Sequence, residues 1–243
     1  IFKPYISKIS LKEINIKTSN LITKIGFPSS MQSLFEVALF TGAVWISGMI
    51  GTTAQAANQI ALSMASMTFM FASGLSIAGM IRVGNQKGLK DYNKMETVAR
   101  SIMLMTLLLY IGFAIFFVLF HNYIPTLFLD TNDVKQAIVN QEVINMAGKL
   151  LLIAAIFQIS DGIQVTALGA LRGLQDVNIP MWISFISYWV IGFPLCIYLA
   201  LYTDLKAEGI WYGLLVGLTI AAIFSYLRFN YMSKKYINNN IKI

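Results

Sequence analysis

The sequence predicts an all-α integral membrane protein whose six transmembrane helices form one bundle. Of its 243 residues, 57% are hydrophobic and 12% are charged, and its mean hydropathy is +0.67. An ordinary soluble domain is about 45–50% apolar and about 25% charged. This composition excludes a disordered chain, an ordinary nucleic-acid-binding domain and most soluble enzymes.

Six apolar segments are long enough to cross a bilayer, which takes about 20 residues of helix. The stretch between Lys24 and Arg82 is too long for one span, and small and polar residues around Gly51 divide it into two. The predicted spans are 22–49, 54–82, 101–120, 146–171, 178–202 and 208–230. We expect a basic linker over residues 1–19, a membrane bundle over 20–232 and a basic tail over 233–243.

Basic residues fix the predicted orientation of these spans. With the N-terminus inside, 15 of the 18 Lys and Arg residues fall in inside segments, as the positive-inside rule requires. The exceptions are Lys135, Lys149 and Lys206. We therefore expect a multi-pass protein of the plasma (inner) membrane with both termini cytoplasmic, and no nucleic-acid partner despite the net charge of +7.

Two acidic residues interrupt the apolar spans at similar depth. Glu36 and Asp161 each lie 12 residues from the basic residue that begins their span, which is about 18 Å along a helix. Both carboxyl groups are thus predicted near the bilayer midplane, where a charge costs about 2.5–3.5 kcal/mol and usually serves function. The alternative is a structural role, in which a neighbouring amide or carbonyl satisfies each protonated acid.

Helical periodicity predicts which residues face the same way as the two acids. Gln32 and Phe40 share the side of Glu36, and a further set shares the side of Asp161: Phe157, Gln158, Gln164 and Val165. The opposite side of the second helix is predicted to face lipid: Leu152, Ile156, Ile159, Ile163 and Ala170. Each helix therefore has an apolar outer face and an acidic, amide-bearing inner face.

Four residues of the second span each have two possible roles. Gln55, Asn58 and Gln59 form either a polar vestibule or interhelical hydrogen bonds. Phe69 either offers its ring to a cation or packs in a cluster with neighbouring methionines.

Pro194, in the fifth span, removes one backbone hydrogen bond and so predicts a kink, which is either a hinge or a packing feature. Arg82 and Arg172 are most simply cytoplasmic anchors. Catalytic motifs such as HExxH, GxSxG and the Walker loop do not occur in the sequence, so we do not expect an enzyme.

An ordered series of motifs resembles the C-terminal six-helix lobe of the multidrug and toxic compound extrusion (MATE) family, over about residues 15–230. The series comprises Gly26-Phe27-Pro28, Leu34-Phe35-Glu36, Ala56-Ala57-Asn58-Gln59-Ile60, Gly74-Leu75-Ser76, Arg82-Val83-Gly84-Asn85, Phe157-Gln158-Ile159-Ser160-Asp161-Gly162, Leu171-Arg172-Gly173 and Gly209-Ile210-Trp211. Both acids match acids of the family, and keeping both resembles its NorM-like branch.

The resemblance implies an antiporter that exports amphipathic, mostly cationic compounds by alternating access, driven by Na⁺ or H⁺. It implies that Glu36 and Asp161 couple the ion and form a Na⁺ site, and that no other cofactor is needed. The implied substrate cavity comprises Gln32, Gln59, Phe69, Phe157, Gln158 and Gln164, with Pro194 as a hinge. At Phe157 some relatives carry Tyr, so direct ion ligation there is not expected.

The resemblance also implies partners for this chain. They are small cationic substrates, membrane lipid and the N-terminal six-helix lobe of the same transporter, because the chain corresponds to one half of a twelve-helix protein. The alternative function is a flippase of the related superfamily that exports lipid-linked oligosaccharide or peptidoglycan precursors. Such proteins favour basic residues in the cavity, whereas the charges expected here are acidic.

Overall fold

The protein is a bundle of six long apolar helices, in a computed structural model that describes residues 15–129 and 137–241. Within these ranges the chain forms helices and connecting turns, with no strand. Each of the six helical segments is long and apolar enough to cross a membrane. The predicted fold class is therefore confirmed.

The first two helices form a hairpin closed by a single residue. Helix α1 spans Ile16–Ile50 and α2 spans Thr52–Gly88, with Gly51 between them. The φ angle of Gly51 is 149°, a conformation that glycine adopts without steric cost because it lacks a Cβ atom. This glycine lets two long helices reverse direction within one residue, so that their polar faces stay side by side.

Helices α3 and α4 continue the bundle. Asp91 begins α3 (Tyr92–Phe120) as its N-cap, since its carboxylate accepts a hydrogen bond from the backbone N–H of Lys94 at 3.1 Å. A short 3₁₀ turn, Ile124–Leu127, follows α3, and α4 spans Ala137–Gly173. Helix α4 packs against α2, α3 and α7 and is the most deeply buried span.

The fifth span is irregular in its middle. It consists of α5 (Asn178–Phe185), a π-helical segment (Ile186–Gly192) and α6 (Phe193–Leu201), and α7 (Lys206–Ile241) completes the bundle. In the π-helical segment the N–H of Phe193 bonds to the carbonyl of Tyr188, one residue further back than in an α-helix. Pro194 lacks an N–H to continue the α-helical pattern, and the π-helical segment ends two residues before it.

The helices extend beyond the predicted spans at most ends. Residues 16–19 of the predicted linker belong to α1, and residues 233–241 of the predicted tail belong to α7. The rest of the linker, residues 1–14, lies outside the described residues. Hydropathy marks only the part of a helix that matches the hydrocarbon, whereas internal backbone hydrogen bonding carries the same helix onward into the polar region.

Close backbone contact fixes α2 against α4. A Cβ atom added at Gly169 would lie 2.6 Å from the carbonyl oxygen of Ser76, and one added at Gly173 would lie 2.6 Å from that of Met80. Small residues permit such approach between membrane helices. Ala170, which is 2% exposed, belongs to a buried apolar cluster with residues of α2, α3 and α7, so the prediction that Ala170 faces lipid is wrong.

Candidate functional site

A cavity of about 940 Å³ lies between α1, α2 and α4. Its size falls within the range of small-molecule sites. Its wall mixes acidic, hydroxyl, aromatic and aliphatic groups. The lining residues are Ser33, Glu36, Val37, Phe40, Thr41 and Val44 on α1, Gln59, Leu62, Ser63, Ala65, Ser66, Phe69, Ser73, Ser76 and Ile77 on α2, and Phe157, Asp161, Val165, Leu168 and Arg172 on α4.

The structure places both predicted acids in this one cavity. Glu36 is half-buried on α1, and Asp161, on α4, is 4% exposed. The two carboxyl groups are close enough for their charges to interact. The Oδ1 atom of Asp161 has no hydrogen-bond partner among the described residues. Two carboxyl groups from different helices therefore meet in a space that a ligand can fill.

Three of the six predicted cavity residues lie in the wall, and three do not. Gln59, Phe69 and Phe157 line the cavity. The side chains of Gln32, Gln158 and Gln164 are buried in the packed interior, outside the lining. Gln158 and Gln164 lie on either side of Asp161 around the α4 axis, so neighbouring helices cover them while Asp161 faces the open space.

Phe157 connects the cavity wall to the core behind it. Its ring meets those of Phe40, with centroids 6.0 Å apart, and Trp211, with centroids 5.4 Å apart, both near-perpendicular. Trp211 is buried and donates its indole N–H to Oδ1 of Asn58 at 3.0 Å. These edge-to-face contacts hold Phe157 in place, which gives the cavity a rigid aromatic side.

The polar residues at the start of α2 were interpreted as either a vestibule or interhelical hydrogen bonds, and each interpretation holds for one of them. Gln59 lies in the cavity wall, as the vestibule reading requires. Asn58 is buried in an interhelical hydrogen bond to Trp211, as the packing reading requires. Gln55 is exposed.

Arg172 differs from the sequence-based expectation of a cytoplasmic anchor. Its side chain lines the cavity and donates from Nη2 to Oε1 of Gln32 at 3.1 Å, whereas Arg82 is exposed. A signal for this placement was present in the sequence. Arg172 follows Asp161 by 11 residues, which is three helical turns and returns to the same face.

Tyr188 is a second residue that sequence reasoning missed. It is fully buried on the π-helical segment, and its hydroxyl lies beside the amide of Gln164. The Tyr188 hydroxyl lies within electrostatic range of the carboxyl groups of Glu36 and Asp161. Its position depends on the π-helical segment Ile186–Gly192, whose location the predicted kink at Pro194 does not specify.

The donor set suits a hard monovalent cation or a proton rather than a transition metal. Among the described residues, no three His, Cys, Asp or Glu side chains converge in a way that could hold a metal ion. Carboxylate, amide and hydroxyl oxygens are the ligands that hard cations prefer. The aromatic and aliphatic parts of the wall suit the apolar body of an amphipathic ligand.

Comparison with known proteins gives a consistent result. The MatE family model matches residues 28–198. The chain is 39% identical over 212 residues to a probable multidrug resistance protein NorM of Rhizobium meliloti (strain 1021), which covers 86% of this chain and 44% of that protein. It is 38% identical over 211 residues to multidrug resistance protein MdtK of Proteus mirabilis (strain HI4320), covering 85% and 44%. The chain thus spans about half the length of the curated relatives it matches.

Solved structures share the fold. A crystal structure of the eukaryotic MATE transporter AtDTX14 matches with a TM-score of 0.81 and 19% identity, over 96% of this chain and 51% of that one. An outward-facing multidrug resistance MATE family transporter of the MOP superfamily matches with a TM-score of 0.80 and 17% identity, over 95% and 50%. The proteins so named are transporters rather than enzymes. The family model covers more than half of the chain, which therefore belongs to the MATE family of multi-pass membrane proteins.

Proposed function

We propose that this chain forms the C-terminal lobe of a cation-coupled antiporter that exports amphipathic, mostly cationic drugs and toxic compounds. The observation that carries the proposal is the meeting of Glu36 and Asp161 in one cavity of about 940 Å³. A carboxylate pair attracts an organic cation and a coupling ion alike, and the aromatic wall accepts the apolar part of the substrate.

Coupling follows from competition for the same two carboxylates. Na⁺, or alternatively H⁺, neutralises the acids, so the cavity loses its electrostatic attraction for the cationic substrate. A neutral cavity also costs less to close, because fewer charges lose their water. The ion-bound and substrate-bound states then favour different conformations, which is the requirement for exchange transport. The ion is the only cofactor in this scheme, and Pro194 is its proposed hinge.

A second lobe completes the proposed transporter. The relatives are about twice as long as this chain, and many transporters consist of two structurally related halves with the substrate site between them. We propose that the N-terminal six-helix lobe of the same polypeptide faces the cavity. We also propose that the protein lies in the inner membrane, and the distribution of Lys and Arg favours cytoplasmic termini.

The alternative function is export of a lipid-linked precursor. Arg172 is the observation that favours it, because a cation in the cavity wall would meet a phosphate group. The same wall holds two acids against this one cation, so the drug-export proposal has the better electrostatic match.

The test uses the complete transporter in proteoliposomes, with an imposed Na⁺ gradient and a fluorescent organic cation. Glu36→Gln and Asp161→Asn are expected to abolish Na⁺-driven transport, because each removes a charge and preserves shape. Glu142→Gln is the matched control, since Glu142 is an exposed acid on the same helix as Asp161, and it should transport normally. Unchanged transport in both cavity variants would overturn the ion-coupling assignment. Transport of a lipid-linked oligosaccharide instead of the dye would favour the alternative.

A further inference from the structure

Arg172 occupies one end of the cavity, where α1 begins and where α2 and α4 end. It lies on the same wall as Asp161, three turns further along α4. Its Nη2 atom donates to Oε1 of Gln32, and Nε2 of Gln32 donates to the carbonyl of Val177, both at 3.1 Å. Gln32 thus bridges the guanidinium to the turn between α4 and α5.

This bridge holds the guanidinium near Glu36 but apart from it. Gln32 and Glu36 are four residues apart on α1, so their side chains are neighbours on one face. The charges of Arg172 and Glu36 act on each other. No ion pair within 4.0 Å joins the two among the ion pairs of the described residues. The guanidinium therefore influences the carboxylate without neutralising it by contact.

The guanidinium is also incompletely satisfied. Its Nε atom is buried and has no hydrogen-bond partner among the described residues. An arginine that served only to anchor the helix would direct its donors to water or to a carboxylate. Here the charge is retained inside the wall, at a cost in desolvation.

We propose that Arg172 is an affinity-determining residue, a fixed internal cation that opposes the coupling cation at Glu36 and so keeps the ion weakly bound. This inference rests on the proposed function, because it assumes that Glu36 binds the ion. A transporter must release its ion at each turnover, and a nearby like charge lowers the affinity of a cation site. Gln32 is the positioning residue, since it sets how far the guanidinium stays from Glu36.

The two residues should have opposite effects when they are changed. Arg172→Gln removes the repelling charge, so Na⁺ should bind more tightly by about tenfold. Gln32→Ala frees the guanidinium to approach Glu36, so Na⁺ should bind more weakly by about fivefold. In the double variant the weakening should disappear, because no guanidinium remains to approach the acid. Arg172→Lys keeps the charge and should stay within about threefold of wild type.

The experiment is calorimetric titration of Na⁺ into the complete transporter in lipid nanodiscs, with folding checked by thermal unfolding. Arg82→Gln is the matched control, since it removes an exposed arginine predicted at the same side of the membrane, and it should leave the Kd unchanged. This inference alone is overturned if Arg172→Gln binds Na⁺ as tightly as the wild type or more weakly, while Glu36→Gln abolishes Na⁺ binding. If Arg172→Gln does not fold, tighter or unchanged binding in Gln32→Ala overturns it. Absence of Na⁺ binding in the wild type, or binding that Glu36→Gln leaves intact, overturns the proposed ion site together with this inference.

Discussion

Two phenylalanines of α2, separated by one residue, face different surroundings. Phe69 lines the cavity, while Phe71 is 54% exposed and meets Phe113 of α3 with ring centroids 5.2 Å apart. Phe71 borders an apolar groove between α2 and α3, on the other side of α2. The two side chains are chemically identical, so substituting each in turn distinguishes a ring that contacts a ligand in the cavity from a ring that packs on the surface of a helix.

We expect Phe69→Ala to weaken the binding of an aromatic cation, because a ring face lost from the cavity removes a cation–π contact of about 1 kcal/mol, or about fivefold in Kd. Phe71→Ala is the control and should leave the Kd unchanged. Fluorescence polarisation of ethidium titrated with the complete transporter measures both. Equal effects of the two variants would show that Phe69 acts through packing rather than through contact with the substrate.

The helix face on which the two acids and Phe157 lie was predictable, because charges are rare in these spans and helical periodicity shows which residues share a face with them. Whether a side chain on that face lines the cavity or is buried behind its wall was not predictable. Gln32 shares the face of Glu36, yet its amide is drawn between Arg172 and the carbonyl of Val177. A long polar side chain reaches partners that its position around the axis does not reveal, and those partners come from the tertiary arrangement.

At the scale of helices, one glycine on α4 and one on α2 differ in their surroundings. Gly169 on α4 lies against the backbone of Ser76, where an added Cβ would collide. Gly74 on α2 has no atom within 4 Å of an added Cβ. The hydroxyl of Ser76 also donates to the carbonyl of Val165 at 2.7 Å, so the contact at Gly169 belongs to a hydrogen-bonded crossing.

Gly169→Ala should therefore lower the free energy of unfolding by about 1–3 kcal/mol, because the two helices must separate to admit the methyl group. Gly74→Ala should instead leave stability equal or raise it by up to about 1 kcal/mol, because alanine favours the helix and meets open space. Thermal unfolding of the purified protein in one detergent compares the two variants. A loss of stability in Gly74→Ala as large as that in Gly169→Ala would contradict the close-packing explanation.

Sequence periodicity described the helices better than it described their interruptions. The six spans follow from hydropathy, and Pro194 indicated an irregular fifth span. The location of the irregularity in Ile186–Gly192 did not follow, because a π-helical turn depends on packing: the Cα atom of Gly217 on α7 lies 3.2 Å from where a Cβ of Gly192 would be. Tyr188 is consequently placed near the acids by a contact that only the assembled bundle supplies.

At the scale of the whole molecule, the two ends of the bundle have distinct connections. The turn between α2 and α3 contains Lys90, and the connection between α6 and α7 contains Asp204; both residues are exposed. Because α3, α4 and the fifth span each cross the bundle once between them, these two connections lie at opposite ends. The positive-inside rule predicts that the Lys90 end faces the cytoplasm.

Cysteine labelling tests this orientation, since the chain has one native cysteine, Cys196, which is buried and hydrogen-bonds the carbonyl of Ile210. A buried thiol gives little background reaction with a maleimide. In intact cells expressing the complete transporter, with any cysteines outside this chain replaced by serine, a membrane-impermeant maleimide should label Asp204→Cys and leave Lys90→Cys unlabelled. Opening the cells should make Lys90→Cys reactive, which shows that the thiol was shielded by the membrane rather than by the fold. Labelling of Lys90→Cys alone in intact cells would reverse the proposed topology, and the carboxylates would then receive the coupling ion from the opposite side.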